Sequence, residues 1–248
     1  ILEAGIHVVT PNKRANSGEM DYYQSIRSAA AKNRKRFLYE TNVGAGLPVI
    51  DTFRNMLKSG DRLLRFEGIM SGSLSYIFGR LDEGIPFSQA VLEAREKGFT
   101  EPDPRDDLSG MDVARKALII AREAGMTLNL DDVICEGALP DSFDTSGTVE
   151  EFLARLPEID EWYKKRITAV KAAGNVLRFV GTITDGRAAA GPVEVPQDGP
   201  LAVITGGSNA FVFTTRYYSP IPLVIHGYGA GADVTAAGVF ADILRTAT

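Results

Sequence analysis

The sequence predicts an α/β unit followed by an α+β domain that contains a mixed sheet. Near the start, Gly5 is placed to end a helix, and a short apolar strand follows it, which is one half of an α/β unit. In the middle, strands alternate with helices whose apolar residues recur at helical spacing. Near the end, two apolar runs flank Asp185-Gly186-Arg187, a hairpin signal that joins one strand directly to the next.

The first half of the chain supplies the α/β unit and the start of the second domain. Met20, Tyr23 and Ile26 recur on one side of a helix, Pro48 suits the first turn of another, and Gly98 ends a later one. In chain order, the predicted elements are strand 7–10, helix 16–35, strand 36–40, helix 48–58, strand 62–70, and helices 71–81, 87–98 and 109–123.

The second half is predicted to be strand-rich and to close with a helix that follows a glycine run. Its predicted elements are helices 148–156 and 157–173, strands 176–184, 188–195, 209–216 and 223–226, and helix 231–246.

The order of these elements predicts how the chain is divided. A nucleotide-binding α/β domain ordinarily opens with a strand, a G-x-G-x-x-G turn and a helix, and no such turn precedes strand 7–10. We therefore expect a truncated Rossmann-type nucleotide-binding domain followed by a mixed-sheet substrate-binding and dimerisation domain. The expected limits are 1–42 for the remnant, 43–218 for the second domain, and 219–248 for a segment whose helix returns to the first.

Composition excludes several classes of partner. The chain has 248 residues with 44% hydrophobic and 24% charged residues, which predicts a globular protein with a sizeable core. A net charge of −5 gives no basic footprint, so nucleic acid is not an expected partner. No apolar run is long enough to span a membrane, and Cys135 is the only cysteine, so we expect a soluble, cytoplasmic protein without disulfides or zinc clusters.

The run TEPDPRDDLSGMDVARK, residues 100–116, is the strongest chemical signal in the chain. Pro102 and Pro104 predict a stiff, non-helical leader, and a helix capped by Ser109 or Asp107 is expected to follow it. Asp112 and the lysine four residues later then share one helix face. A solvated ion pair of ~0.3–0.5 kcal/mol is the plain interpretation. Crowded acids favour a site, because a cation, metal or amine-bearing ligand must offset their repulsion; these acids are Glu101, Asp103, Asp106, Asp107 and Asp112.

Five segments together resemble the homoserine dehydrogenase family, over nearly the whole chain. In family order, they are HVVTPNK at 7–13, ETNVGAGLPVI at 40–50, IMSGSLSYIF at 69–78, the acidic run at 100–116, and GYGAGADVTAAGVFAD at 227–242. Within the family, GIHVVTPNKRANSG is most similar to the dehydrogenase part of bifunctional aspartokinase/homoserine dehydrogenases. The resemblance implies reversible reduction of L-aspartate 4-semialdehyde to L-homoserine by NADPH or NADH, in threonine and methionine biosynthesis.

The resemblance also implies roles for individual residues. Lys116 matches the proposed general acid/base, Asp112 would orient it, and Lys13 would oppose Asp112 and lower the pKa of Lys116. The substrate-binding positions are Glu101, Asp107, Gly72, Ser73 and Phe99; Ser73 and Phe99 stand where threonine and tyrosine are often found. The cofactor-binding positions are Thr10, Asn12, Lys13 and Gly231.

Glu40 matches a monovalent cation site of the family, with sodium the expected ion. The backbone carbonyls of Val43, Ala45 and Leu47 would complete an all-oxygen cage with little negative charge. A structural turn without an ion is the alternative. A homodimer or a higher homo-oligomer is the implied assembly.

Two other interpretations remain open from the sequence. The chain could be a catalytically silent substrate-binding and dimerisation fragment, since the first phosphate-binding loop is not in it. It could also belong to another two-domain dehydrogenase of amino-acid metabolism. The choice between NADP and NAD is not readable, because no residue that would recognise the adenosine ribose is identified.

Overall fold

The computed structural model describes residues 1–247 and contains two sheets. In the smaller sheet, β1 (Val8–Val9) pairs with β2 (Phe37–Leu38) in parallel. Helices α1 (Arg14–Ser17) and α2 (Met20–Lys32) connect these strands, as in an α/β unit. The carboxyl ends of both strands therefore lie at the same edge of the sheet.

The larger sheet has six strands in the order β4-β6-β5-β3-β7-β8. All its neighbouring pairs are antiparallel except β4 with β6, so the sheet is mixed. Its strands are β3 (Leu63–Ile69), β4 (Ile134–Cys135), β5 (Asn175–Thr184), β6 (Arg187–Pro196), β7 (Ser208–Thr215) and β8 (Leu223–Tyr228).

The remaining helices are α3 (Ile50–Lys58), α4 (Gly72–Asp82), α5 (Phe87–Glu96), α6 (Pro104–Leu108), α7 (Met111–Glu123), α8 (Val149–Arg155), α9 (Asp160–Ala172) and α10 (Ala232–Thr246). Of these, α10 packs on β1 and on residues 40–42, whereas α4, α7 and α9 pack against one face of the larger sheet. The main core lies between them and the sheet, where Phe66, Phe78 and Phe213 are fully buried. A smaller cluster on the other face includes Val180 and Val212.

Two glycines allow α10 to pack directly on the turn before α3. A Cβ at Gly46 would lie 2.2 Å from the carbonyl oxygen of Val234, and one at Gly238 would lie 2.6 Å from Cγ2 of Thr41. Real Cβ atoms do not approach other atoms so closely, so this contact requires glycine. The glycine-rich turn is therefore, first of all, the surface on which the last helix docks.

The predicted fold class, an α/β unit followed by an α+β domain with a mixed sheet, is confirmed. Strands β5 and β6 meet at Asp185 and Gly186, whose φ angles of 49° and 75° suit a two-residue hairpin turn. Differences are local: the predicted helix 16–35 is interrupted at Gly18 and ends at Lys32, and no strand was predicted for β4.

The boundaries predicted for the domains stay predictions, and the last residue of the predicted segment 219–248, Thr248, lies outside the described residues. Within residues 1–247, no helix combines the length and apolarity that crossing a membrane requires.

Candidate active site

Helix α7 places Asp112 and Lys116 one turn apart, as the sequence predicted. The helix begins after Gly110, whose φ of 72° and whose contact with the Phe179 ring leave no room for a Cβ. The Lys116 ammonium lies 2.7 Å from Asp112 Oδ2 and donates a second hydrogen bond, also 2.7 Å long, to the carbonyl oxygen of Met70. Its side chain is 13% exposed. This lysine is therefore held by two acceptors and is nearly enclosed.

Lys13, which lies between β1 and α1, also contacts the Asp112 carboxylate. Its Nζ lies 3.3 Å from Asp112 Oδ1, so Asp112 stands between two ammonium groups. Burial alone would raise the pKa of Asp112, but Lys116 and then Lys13 outweigh it and lower that pKa to about 2. Asp112 therefore stays ionised at neutral pH. The plain interpretation of an isolated surface pair does not describe this three-membered arrangement.

Asp107 joins two segments of the site by accepting two hydrogen bonds. Ser73 Oγ donates to Asp107 Oδ1 at 2.7 Å, and the backbone N–H of Glu101 donates to Oδ2 at 2.9 Å. Burial raises the pKa of Asp107, and these two donors only partly offset that effect. The side chain of Glu101 is exposed.

The acidic run differs from the prediction in its first half. Pro104 does not stiffen a non-helical leader but starts α6, a position that proline favours, and Asp103 is the N-cap that accepts from the Arg105 N–H at 3.1 Å. Arg105 also binds the Asp103 carboxylate and lowers its pKa. Asp103 is thus a structural residue.

The predicted cap of α7 is also wrong. Gly110, and neither Ser109 nor Asp107, is the N-cap, because the chain turns sharply between α6 and α7. The Ser109 hydroxyl still accepts a hydrogen bond of 3.2 Å from the Met111 N–H. Asp107 instead lies within α6, and this placement directs it toward Ser73.

The other predicted substrate-binding residues surround the start of α4. Phe99 stacks on Tyr76 with ring centroids 4.8 Å apart, and Gly207 has no room for a Cβ because the Phe99 ring is 2.7 Å from that position. A Cβ on Gly72, the first residue of α4, would lie 3.5 Å from the Gly207 carbonyl oxygen and 3.8 Å from Ala230 Cβ. Gly72 therefore lies beside the glycine run that precedes α10.

The predicted cofactor-binding residues Thr10 and Asn12 follow β1. The Thr10 hydroxyl accepts from the Asn12 N–H at 3.1 Å, and the Asn12 side chain accepts from the Arg14 N–H at 2.9 Å. These bonds fold the loop tightly before α1. The loop and α7 border a cavity of about 530 Å³, whose lining includes Asn12, Lys13, Arg14, Asp112 and Arg115.

Gly231, the remaining predicted cofactor-binding residue, is the N-cap of α10. Its φ of 109° is accessible only to glycine without strain.

Glu40 is engaged by the protein itself. Its two carboxylate oxygens accept the N–H groups of Ile50 and Asp51, each at 2.8 Å, at the first turn of α3. Burial raises the pKa of Glu40, and Asp242 and Asp51 add to that rise, while Arg245 lies 3.8 Å away. Among residues 1–247, no three His, Cys, Asp or Glu side chains are grouped so that they could bind a metal ion.

The carbonyls predicted to complete the cation cage belong to the same turn. Ala45 has a positive φ of 52°, and the Leu47 carbonyl oxygen accepts from the Val49 N–H at 2.9 Å. Val43 is fully buried and leads into this turn.

Sequence reasoning missed a buried polar network behind the site. Asn16 is fully buried, and its Nδ2 donates to Asn42 Oδ1 at 2.7 Å, while Arg122 Nη1 donates to the Asn16 carbonyl oxygen at 2.9 Å. These residues lie far apart in the sequence and no motif joins them. The only available signal was Arg122 itself, an arginine on the apolar side of a predicted helix.

Two family models match the chain. The model described as homoserine dehydrogenase matches residues 48–244, and the model described as homoserine dehydrogenase, NAD binding domain, matches residues 1–40.

Curated proteins and solved structures that are similar to this chain include homoserine dehydrogenases. A bifunctional aspartokinase/homoserine dehydrogenase from Haemophilus influenzae is 58% identical over 245 residues, which is 99% of this chain but only 30% of that protein. A crystal structure of a Candida auris protein of unknown function is 40% identical with a TM-score of 0.94, and the match covers 99% of this chain and 70% of that one. A hyperthermophilic archaeal homoserine dehydrogenase in complex with NADPH is 27% identical with a TM-score of 0.76, over 99% of this chain and 65% of that one.

Proposed function

Because this chain belongs to the homoserine dehydrogenase family, we propose that the protein containing it reduces L-aspartate 4-semialdehyde reversibly to L-homoserine with NADPH or NADH. The chain spans under a third of the length of these curated relatives, so the activity is proposed for the complete protein. The observation that carries the proposal is the Asp112 carboxylate between the ammonium groups of Lys116 and Lys13.

Lys116 is proposed to supply and recover the proton of the reaction. A reduced nicotinamide, when bound, supplies the hydride to the aldehyde carbon. The carbonyl oxygen then gains negative charge and takes a proton from Lys116, which is later reprotonated from solvent. An ammonium has three N–H bonds, and Asp112 and the Met70 carbonyl oxygen accept two of those on Lys116. The third can point to the substrate oxygen.

Asp112 is proposed to hold the ammonium groups and not to carry the proton. With a pKa of about 2, its carboxylate is a poor proton acceptor at neutral pH. Its negative charge keeps two lysines close together in a half-enclosed site. This arrangement lets Lys13 lie beside the reacting groups without expelling Lys116.

Asp107 and Glu101 are proposed to bind the amino group of the substrate. A carboxylate and an ammonium form charge-assisted hydrogen bonds, and Asp107 is already oriented by Ser73 at 2.7 Å. Phe99 and Gly72, which both lie close to Gly207, are proposed to enclose the rest of the substrate. Asp107 must be ionised for this role, although burial raises its pKa.

Thr10, Asn12, Lys13 and Gly231 are proposed to bind the reactive end of the cofactor. In open α/β sheets, ligands bind beyond the carboxyl ends of parallel strands, and the first three residues follow β1 directly. Gly231 has a positive φ. Because glycine has no Cβ, a cofactor can approach the backbone closely at this position. These features fit a nicotinamide nucleotide.

Glu40 and the carbonyl groups of Val43, Ala45 and Leu47 are proposed to bind a monovalent cation, sodium being the expected one. Glu40 lies near Asp51 and Asp242, and the Arg245 guanidinium pairs with all three carboxylates. A monovalent cation would offset the negative charge that this single guanidinium leaves. Because Glu40 already accepts two backbone hydrogen bonds, the ion is proposed to support the turn and to have no part in the chemistry.

A homodimer or higher homo-oligomer is proposed from the surface near β8. This strand is an edge of the larger sheet, and an edge presents unpaired backbone groups. Val224 and Tyr228 on it are exposed, as is Ile221 just before it, at 81%. A second copy of the chain would cover these side chains.

A panel of amino alcohols tests the proposed reaction. The complete protein is expected to oxidise L-homoserine with NADP⁺ or NAD⁺, and to oxidise L-serine and L-threonine far more slowly, as followed by the absorbance of the reduced nicotinamide. Equal turnover of all three would favour another dehydrogenase of amino-acid metabolism. No turnover of homoserine with either cofactor would refute the proposal.

A further inference from the structure

Asn16 is the centre of a buried network that begins one helical turn after Lys13. Each polar group of its side chain has a partner: Nδ2 donates to Asn42 at 2.7 Å, and Oδ1 accepts from Arg27 Nη2 at 3.2 Å. The Asn16 N–H donates to the Lys13 carbonyl oxygen at 2.9 Å. Asn16 therefore transmits its own position to the backbone of Lys13.

Arg122 fastens this network to α7, the helix that carries Asp112 and Lys116. It is 4% exposed, and besides Asn16 it holds the carbonyl oxygen of Leu128, through Nε at 2.9 Å and Nη2 at 2.7 Å. Burial lowers the pKa of this guanidinium, so the fold bears a desolvation penalty to keep a cation there. Hydrogen bonds to its partners compensate for that penalty.

The same network fixes the other side of the Lys13 loop. Asn42 Nδ2 donates to the Thr10 carbonyl oxygen at 3.0 Å, so the segment from Thr10 to Asn16 is held at both ends. Asn129, whose Oδ1 lies 3.3 Å from Arg122 Nη2, also accepts from the Met20 N–H at 2.8 Å. The loop and the start of α2 thus share one anchor on α7.

The ion pair between Lys13 and Asp112 is too weak to hold the loop by itself. The pair is 3.3 Å long with side chains 31% and 46% exposed, and ion pairs as exposed as this contribute little to the stability of a loop. A buried hydrogen bond to a charged group contributes more, and Arg122 makes several. The position of Lys13 must therefore be set mainly by the buried contacts.

We propose that Arg122, acting through the backbone of Asn16, is a positioning residue that sets Lys13 against Asp112. This inference rests on the role proposed above for Lys13. A misplacement of about 1 Å can lower a rate by ~10²-fold, so a residue outside the site can control catalysis through geometry alone. Lys13 follows β1, whereas Asp112 lies on α7. Arg122 is proposed to hold the loop that carries Lys13 in a fixed position relative to α7.

A double-mutant cycle in the complete protein tests this positioning role. We expect Arg122→Met to lower kcat for homoserine oxidation by ~10–100-fold in the wild-type background. In the Lys13→Met background, the same change should lower kcat by less than about threefold, because the lysine that it positions is gone. Equal losses in both backgrounds would mean that Arg122 acts on stability alone and would overturn the proposal.

Arg178→Met is the matched control. Arg178 is as buried as Arg122 and donates to the Leu177 carbonyl oxygen at 2.8 Å, but its acidic partner is Asp82, outside the Lys13 network. Its loss should lower the melting temperature and leave kcat within about twofold. If Arg122→Met does not fold, Arg122→Lys serves in the same cycle, since lysine retains the charge without the forked geometry.

Titration of the Asp112 carboxyl by carbon NMR separates this proposal from the role of Lys13. The charged groups that face Asp112 are Lys116, Lys13 and Asp107. In both Lys13→Met and Arg122→Met, the Asp112 pKa should rise above about 2, because one ammonium is lost or displaced. If Lys13→Met leaves kcat unchanged, the catalytic role of Lys13 fails while this rise still supports positioning. A pKa that rises in Lys13→Met but not in Arg122→Met contradicts positioning.

Discussion

The two ends of α7 carry similar charges in opposite surroundings. At the start of the helix, Asp112 is 46% exposed beside a cavity, and Lys116 and Lys13 share it. At the end, Glu123 is 6% exposed, lies 2.6 Å from Arg54 and accepts a hydrogen bond from the Tyr39 hydroxyl. The first cluster is open to a ligand, whereas in the second, closed cluster the protein encloses the carboxylate and leaves its arginine partners only partly exposed.

This difference indicates that the start of α7 serves the proposed reaction and that its end joins helices together. In the closed cluster, Glu123 balances Arg27 and Arg54, which come from α2 and α3, so it joins helices on both sides of the predicted domain boundary. Burial raises the pKa of Tyr39, with Glu123 adding to the rise, so the phenol stays protonated and donates its hydrogen bond. In the open cluster, the third N–H group of Lys116 is the one proposed to reach the substrate. The two clusters therefore differ in whether a charged side chain retains a hydrogen-bond donor that the protein does not use.

Removing Glu123 should have the largest effect on stability. Glu123→Ala leaves the partly exposed guanidinium groups of Arg27 and Arg54 without their buried carboxylate. Because these arginines keep some contact with water, the expected loss of unfolding free energy is ~2–4 kcal/mol, below that of a fully buried pair. Urea unfolding measures that loss. The matched control is Glu161→Ala, whose partner Lys164 is equally exposed at 73%, and it should change stability by ~0–0.5 kcal/mol. Equal effects of the two changes would remove the distinction between closed and open clusters.

Gly46→Ala should have an intermediate effect. The new Cβ would meet the Val234 backbone at 2.2 Å, so α10 must shift away from the turn that contains Ala45. Overpacking of this kind costs ~1–3 kcal/mol. Ala45→Gly is the control in the same turn, because its φ of 52° already suits glycine, and it should change stability by less than ~1 kcal/mol. A wild-type melting temperature for Gly46→Ala would contradict the close packing.

Ser73→Ala should have the smallest effect, visible in the pH dependence of KM. A protonated Asp107 cannot bind an ammonium, and its pKa is raised by burial, so KM should increase as the pH falls, at less acid pH than for an ordinary aspartate. The Ser73 hydrogen bond opposes this rise. Loss of this hydrogen bond, worth ~1 kcal/mol, should shift the increase of KM at low pH, here called the acid limb, to higher pH by up to about one unit.

Ser73→Thr is the control for this change, since threonine keeps the hydroxyl, and its acid limb should coincide with that of the wild type. An acid limb that stays in place in Ser73→Ala would show that Asp107 does not control substrate binding.

Local signals predicted the parts of the site that lie close together in sequence. The spacing of Asp112 and Lys116 fixed their shared helix face, and the strand followed by TPNK located Lys13 at the end of β1. Pro104 was misinterpreted because proline is equally suited to an extended leader and to the first residue of a helix. Only the packing of α6 against its neighbours decides between the two.

Contacts between distant segments were beyond the reach of these signals. Arg122 and Asn16 are joined across the fold, and neither stands in a motif whose spacing indicates the other. Gly46 lies in the segment ETNVGAGLPVI, but its contact with Val234 depends on where α10 returns to the turn. Such roles follow from tertiary packing, which local sequence patterns do not indicate.

The kcat of Lys116→Ala in the complete protein tests the central claim most directly. Homoserine oxidation needs a group that accepts the hydroxyl proton, so loss of Lys116 should lower kcat in this direction by ~10²–10⁴-fold while the Kd for NADPH stays at its wild-type value. Lys164→Ala, at an exposed lysine outside the site, should retain wild-type kcat. A wild-type kcat in Lys116→Ala would contradict the account, because the open cluster of α7 would then have no part in the chemistry.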